Sequence, residues 1–253
     1  MTARCHVSRP VLLGLLLVLA NAPASFGQAQ APSAEPKVWT VAASAGLALT
    51  SGNSDISTVN AAYDIAYDPP NRHLIKSDAL FLRGETEGEL TASRLGFNAR
   101  DEYHLSPRTY VFGQNQYLRD QFKDIDYLVA PTVGLGYKLL DTAATKFSVD
   151  GAVGGVWEKN SGMDVEGSGA LALGEKLVQT LTATTILTQA VTGLWKTSDF
   201  EDVLVTFGIG LAASMSTRTQ LKVELLDTFK NRPPSADIQK NDVAILMAIV
   251  YKR

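Results

Sequence analysis

The sequence predicts an all-β chain folded as a transmembrane antiparallel up-and-down β-barrel of about 12 strands. Three observations carry that reading. Segments with period-two alternation follow one another from Val38 to Tyr251, divided by turn residues and without a helical stripe. They run roughly ten to sixteen residues, where soluble strands average about five or six and a tilted transmembrane strand needs about nine to eleven. Their second face is rich in Gly, Ala, Ser and Thr with scattered charges, which suits a lumen better than a solvated exterior.

The first residues form a targeting segment. Arg4 and Arg9 make a positive start, and Val11–Ala20 is an apolar run too short to cross a bilayer as a helix. Ser25-Phe26-Gly27 before Gln28 reads as a small-x-small cleavage site. Ala22 fits the same rule but would leave Pro23 first. The expected division is a signal peptide over 1–27, a periplasmic leader over 28–37 and a barrel over 38–253. The only cysteine, Cys5, lies in the signal segment, and no lipobox cysteine follows it. The mature chain therefore has no disulfide, no thiolate metal site and no cysteine nucleophile. Without Arg4 and Arg9, the 23 basic residues fall further below the 26 acidic ones. Nucleic-acid binding, which needs a basic stripe, is excluded on that balance. No later apolar stretch approaches a transmembrane helix, so membrane insertion would require a barrel.

The predicted strands, in order, are Val38–Thr50, Ile56–Tyr67, His73–Arg83, Ser93–Leu105, Thr109–Leu118, Asp126–Leu139, Lys146–Trp157, Asp164–Leu177, Thr180–Trp195, Asp202–Met215, Thr219–Phe229 and Val243–Tyr251. In the sixth, Tyr127, Val129, Val133, Leu135 and Tyr137 oppose Thr132, Gly134, Gly136 and Lys138. In the seventh, Phe147, Val149, Val153 and Trp157 oppose Lys146, Ser148, Asp150 and Ala152. The tenth sets Val203, Val205, Phe207, Ile209 and Leu211 against Asp202, Thr206, Gly208 and Gly210. The last puts Val243, Ile245, Met247, Ile249 and Tyr251 on one face. Successive side chains of a strand point to opposite faces, so each segment has one apolar side.

A soluble barrel or sandwich would also alternate, but the aromatic residues favour a membrane. Trp39, Tyr67, Tyr103, Tyr110, Tyr137, Phe147 and Tyr251 collect at one end of the segments, and Phe81, Tyr127, Trp157, Trp195 and Phe229 at the other. That is the pattern of two interfacial girdles. With a periplasmic N-terminus, the inner turns are 68–71, 106–108, 141–144, 178–179 and 216–218. The outer connections are 51–55, 84–91, 119–125, 158–163, 196–201 and 230–242, longer and more charged. An even strand count returns the C-terminus to the periplasm. The chain closes on Tyr251-Lys252-Arg253 rather than on the usual aromatic residue. The apolar alternation before Tyr251 is intact, so handling by the barrel-assembly machinery is expected.

Several stretches carry a family resemblance. They include Leu49-Thr50-Ser51-Gly52-Asn53-Ser54-Asp55, Asp101-Glu102-Tyr103 with Leu105-Ser106, and Tyr110-Val111-Phe112-Gly113-Gln114. Further along come Arg119-Asp120-Gln121-Phe122, then Gly134-Leu135-Gly136-Tyr137 with Leu140-Asp141-Thr142, and the closing Tyr-Lys. From Trp39 to Tyr251 the chain resembles the domain-of-unknown-function 481 family of salt-induced, YdiY-like outer-membrane proteins. The resemblance implies an outer-membrane barrel of unassigned activity, set among membrane lipid and lipopolysaccharide. It brings no catalytic residues, and no cofactor is expected.

Mature histidines are His73 and His104, both at predicted periplasmic strand ends; Ser106 lies near His104, but a turn proline follows it. No acid is placed by sequence to orient the ring, so hydrolysis by a serine–histidine pair is not expected. Glu85, Glu87 and Glu89 could collect divalent cations or bridge them to lipopolysaccharide phosphates, but read more simply as a solvated acidic loop. Gly208-Ile-Gly210-Leu-Ala-Ala213 matches a dinucleotide fingerprint in form only, since it opens no helix. The strongest constellation is a charged lumen network: Asp78, Arg94, Arg100, Glu102, Lys138, Asp150, Glu166, Lys222 and Glu224. Mixed signs there suit either a salt-bridged plug or a polar constriction. The expected function is accordingly a non-enzymatic envelope barrel, the alternatives being a small diffusion channel and a lipid-active enzyme.

Overall fold

The computed structural model describes residues 38–50 and 56–252. The signal peptide and leader read from the sequence lie outside the described residues, as do Ser51–Asp55. Among the described residues there are twelve strands: β1 Trp39–Thr50, β2 Ile56–Tyr67, β3 His73–Thr86, β4 Glu89–His104, β5 Thr109–Asp120, β6 Ile125–Asp141, β7 Thr145–Asn160, β8 Glu166–Thr180, β9 Thr185–Lys196, β10 Asp199–Ser214, β11 Thr219–Lys230 and β12 Asn241–Lys252. Each pairs with the next, and β12 returns to β1, closing an antiparallel barrel. Closure removes the free edges that an open sheet would leave for other chains.

Register carries one face consistently round the ring. Ala45 lies opposite Ala61, Ala61 opposite Phe81, and Phe81 opposite Leu95. Apart from local bulges, odd-numbered positions face outward and even-numbered positions face the lumen in every strand. The outward face is apolar: Val133, Leu135, Val153, Ile245, Met247 and Ile249 are each more than half exposed. A continuous apolar exterior of this kind is foreign to soluble monomers. Outward aromatics stand near the strand ends, with Trp39 stacked on Tyr67 at 4.4 Å.

Tyr110 departs from the girdle predicted for it. It occupies an inward position and is buried. Its ring fills the space that Gly136 leaves empty on β6, where an added Cβ would come within 2.1 Å of it.

The connections also differ from expectation. Strands continue into most of the predicted outer loops, because charged residues at their ends pair inside the barrel instead of being solvated. β3 and β4 meet in the two-residue turn Glu87-Gly88, both with positive φ, as a tight hairpin demands. Glu85 and Glu89 therefore belong to strands, and Glu85 Oε1 accepts from Arg83 Nη2 at 2.7 Å. β9 and β10 are joined by Thr197-Ser198 alone. The predicted turn at Val178-Gln179 lies within β8; the chain reverses at 181–184, where the Leu181 N–H donates to Thr185 O. Only the connection 231–240 is long. It shares its rim with a 3-10 turn, Gln121–Lys123, whose N–H groups at Phe122 and Lys123 donate to Asp120 Oδ1.

Candidate functional site

The site with chemistry in it is the lumen, since even-numbered positions deliver the charged side chains there. Near the rim that carries 231–240, five strands contribute to one network. Lys230 Nζ on β11 donates to Glu158 Oε1 on β7 at 2.7 Å, and both side chains are almost wholly buried. Lys196 Nζ on β9 lies 3.0 Å from Glu158 Oε2, 3.1 Å from Glu166 Oε2 and 2.7 Å from Asp202 Oδ2. Arg94 on β4 stands 3.6 Å from Asp120 and also donates to Thr228 Oγ1 on β11. Lys123, fully buried, donates to Gln239 O at 2.7 Å and pairs with Asp242 at 2.9 Å. β4 and β11 are not neighbours in the ring, nor are the 3-10 turn and β12. These contacts therefore cross the barrel and close it like a lid.

Beneath the lid, β5 to β10 line the lumen with apolar side chains. Leu118, Ile125, Leu128, Ala130, Val156, Ala170, Leu194 and Leu204 form one buried cluster. Between it and the ion pairs is a void of about 10 Å³ bordered by Glu158, Lys196, Asp202 and Lys230. That is about the space of one water molecule, not of a passage. Buried charges cost several kcal/mol each unless paired, and here the pairing is dense.

A second polar layer lies toward the opposite rim, centred on Arg100. Its Nε donates to Glu102 Oε1, its Nη1 to Gln114 Oε1 and its Nη2 to Asp150 Oδ2, each at 2.8 Å. The guanidinium carbon also sits 3.5 Å from the centre of the Phe112 ring, a cation–π contact. Lys76 Nζ adds a 2.8 Å bond to Glu102 Oε1. Asp78 accepts from Asn98 at 2.8 Å, Lys222 pairs with Glu224 at 2.8 Å, and Lys138 lies 3.7 Å from Asp141.

All nine residues singled out in the sequence thus occupy inward positions, but not one site. Asp78, Arg100, Glu102, Lys138, Asp150, Lys222 and Glu224 lie toward one rim, Arg94 and Glu166 toward the other. Sequence reading missed most of the lid: Asp120, Lys123, Glu158, Lys196, Asp202 and Lys230. Five of these fell in stretches read as outer loops, and Asp202 began a predicted strand. For all but Lys123, which sits in the 3-10 turn, even numbering continuous with the small-residue face of the adjoining strand was the available signal.

The remaining candidates separate. His73 faces outward with Nδ1 3.0 Å from Asp101 Oδ1. His104 faces inward, edge-on to Tyr110 at 5.9 Å. Ser106 Oγ accepts from the N–H groups of Arg108 and Thr109 in its own turn. Among the described residues no three His, Cys, Asp or Glu side chains converge to hold a metal ion. At the surface, Arg232 pairs with Glu201 and Asp199, which hold its guanidinium above its ordinary value.

The profile of a family described as "Protein of unknown function, DUF481" matches residues 43–252. No curated protein matches the sequence. Several solved structures share the barrel at low identity. An outer-membrane channel from Pseudomonas putida F1 is 12% identical, with 89% of this chain and 100% of that one covered and a TM-score of 0.49. The translocator domain of the autotransporter NalP from Neisseria meningitidis is also 12% identical, covering 87% and 90%, with a TM-score of 0.49. The NanC porin is 10% identical, covering 85% and 96%, with a TM-score of 0.46. At such scores these likenesses carry nothing beyond a similar barrel.

Proposed function

This chain belongs to the DUF481 family, whose function is unknown, and from that premise we propose that it is an integral outer-membrane barrel with a closed lumen. On this reading it serves the bacterial envelope as a structural element and not as an enzyme. The observation that carries the reading is the buried, ion-paired lid. Lys230–Glu158 and Arg94–Thr228 reach between non-adjacent strands above a packed apolar layer. A water-filled channel would instead keep its lumen charges solvated along a continuous path. The apolar exterior supports insertion, since a β-sheet can span hydrocarbon only when closed.

Both ends of the strand ring lie at one rim, where Ala42 on β1 pairs with Lys252 on β12. We place that rim in the periplasm and the 231–240 rim outside, toward lipopolysaccharide, with insertion by the barrel-assembly machinery. A role under osmotic or salt stress is the physiological form of this proposal, and survival of a deletion strain at high salt would read it.

Planar-bilayer recording tests the closed lumen. The purified barrel should give no discrete conductance steps, whereas regular steps from the wild-type protein would replace this reading with a diffusion channel. A lipase assay of the wild type and a His104→Ala variant addresses the catalytic alternative: lipid hydrolysis that disappears in the variant would overturn the non-enzymatic assignment.

A further inference from the structure

The outward face is not uniformly convex. A groove of about 750 Å³ crosses it over β4 to β8. Its course follows the sheet register: Asp101 lies opposite Gly113, Gly113 opposite Val133, Val133 opposite Val153, and Val153 opposite Leu171. The adjoining row runs from Tyr103 through Val111 and Leu135 to Gly151. Two outward positions that carry large side chains elsewhere are therefore glycines, one in each row, and the groove forms over them. Nothing lies within 4 Å of the place a Gly113 Cβ would occupy, and only Leu173 Cδ2, at 3.4 Å, comes near that of Gly151. With strands spaced about 4.8 Å apart, four steps make a trough roughly 19 Å long.

The two ends of this trough differ chemically. At Leu171 it is apolar and lies well inside β8. At Asp101 and Tyr103 it opens a few residues from the end of β4, level with the aromatic girdle. There the Asp101 carboxylate is half exposed and faces outward beside His73. An anionic side chain thus stands at the mouth of an apolar trough that leads into the belt.

We propose that this groove is a binding site for a single phospholipid with a zwitterionic, ammonium-bearing head. An acyl chain lies along the Gly113–Gly151 trough and the ammonium group meets Asp101. The proposal rests on the membrane reading above. In a bilayer, hydrocarbon must fill a depression in the lipid-facing surface, because an empty void forfeits its contacts. The carboxylate at the mouth selects the head, since an anionic lipid would place its charge against Asp101.

Native mass spectrometry of the purified full-length barrel, released from detergent with equal amounts of phosphatidylethanolamine and phosphatidylglycerol, tests this. The expected result is one retained lipid, predominantly phosphatidylethanolamine. Asp101→Asn should weaken that retention about tenfold, as losing a charged hydrogen-bond partner does, and raise retention of phosphatidylglycerol, which no longer meets a carboxylate at the mouth. Gly113→Leu, which the open space above Gly113 admits, should abolish retention of both. Gly151→Leu serves as a second filling variant if the first fails to give the compact, heat-modifiable gel band. Equal retention of both lipids by the wild type would overturn the proposal. So would undiminished retention in a folded filling variant, or a wild-type dimer without lipid that the filling variant converts to monomer. A wild-type band in the soluble fraction, without a heat-dependent mobility change, would instead refute the membrane reading itself.

Discussion

At the residue scale, the lid and the surface should respond very differently to loss of a charge. Glu158 is the shared anionic partner of Lys230 and Lys196, 2.7 Å and 3.0 Å away, and is almost wholly buried. Glu158→Gln leaves two buried lysines with too little negative charge around them, since Asp202 is the remaining buried acid between them and Glu166 is largely exposed. Breaking a buried pair from one side costs about 3–5 kcal/mol. The expected outcome is a large fall in the unfolding midpoint in detergent, read by the heat-dependent gel shift. Arg232→Ala removes ion pairs that are more than half exposed on the arginine side. Its midpoint should move little, because exposed pairs contribute about 0–1 kcal/mol. Equal effects from the two variants would contradict the account of a buried, ion-paired lid. The chemistry at both sites was visible in sequence, yet only distance and burial separate them. Glu158 and Arg232 both read as charged residues of outer loops.

At the element scale, closure depends on the seam between the first and last strands. β1 and β12 pair over four residues, from Ala42↔Lys252 to Ala45↔Ile249, where other neighbouring strands pair over many more. Just beyond the last pair lies Gly46, whose added Cβ would stand 1.9 Å from Met247 O and 2.6 Å from Asn60 Nδ2. Asn60 Nδ2 in turn donates to Met247 O at 3.3 Å, tying β2 to β12 across that point. Gly46→Val should therefore open the shortest seam of the ring and abolish or strongly lower the heat-stable compact band. Gly113→Val meets open space and should leave the band intact. A Gly46→Val barrel as heat-stable as the wild type would show that the seam is not the weak join. Strand identity was legible because alternation persists for ten or more residues. What defeated the sequence reading was strand length. Alternation fades where charged residues replace apolar ones, as at Lys196 and Lys230, although the backbone ladder continues through them. The inward turn of Tyr110 was equally hidden, since its reason is an absent side chain at Gly136 on the neighbouring strand.

At the scale of the whole molecule, the two rims differ in a way that predicts orientation. The rim where β1 begins and β12 ends carries short turns, 68–72, 105–108, 142–144, 181–184 and 215–218. The opposite rim carries the lid and the one long connection, 231–240, which is tied down by Lys123 at Gln239 O and by Asn231 Nδ2 at Glu201 O. On the orientation proposed above, the sealed end would face external solutes and the strand termini would face the periplasm, where assembly takes place. An epitope inserted between Ser235 and Ala236 should be accessible to antibody on intact cells, whereas one appended after Arg253 should be reached only after the outer membrane is permeabilised. The reverse pattern would invert the barrel and assign the lid to the periplasm. The same inserted loop offers a check on the seal. If 231–240 holds Lys123 in place, Lys123→Ala frees that anchor and leaves Asp242 without its buried partner. The variant should then admit protease to the loop on intact cells at a dose the wild-type barrel withstands. A loop cut equally fast in both proteins would mean that Lys123 fills the mouth of the barrel without restraining the segment above it.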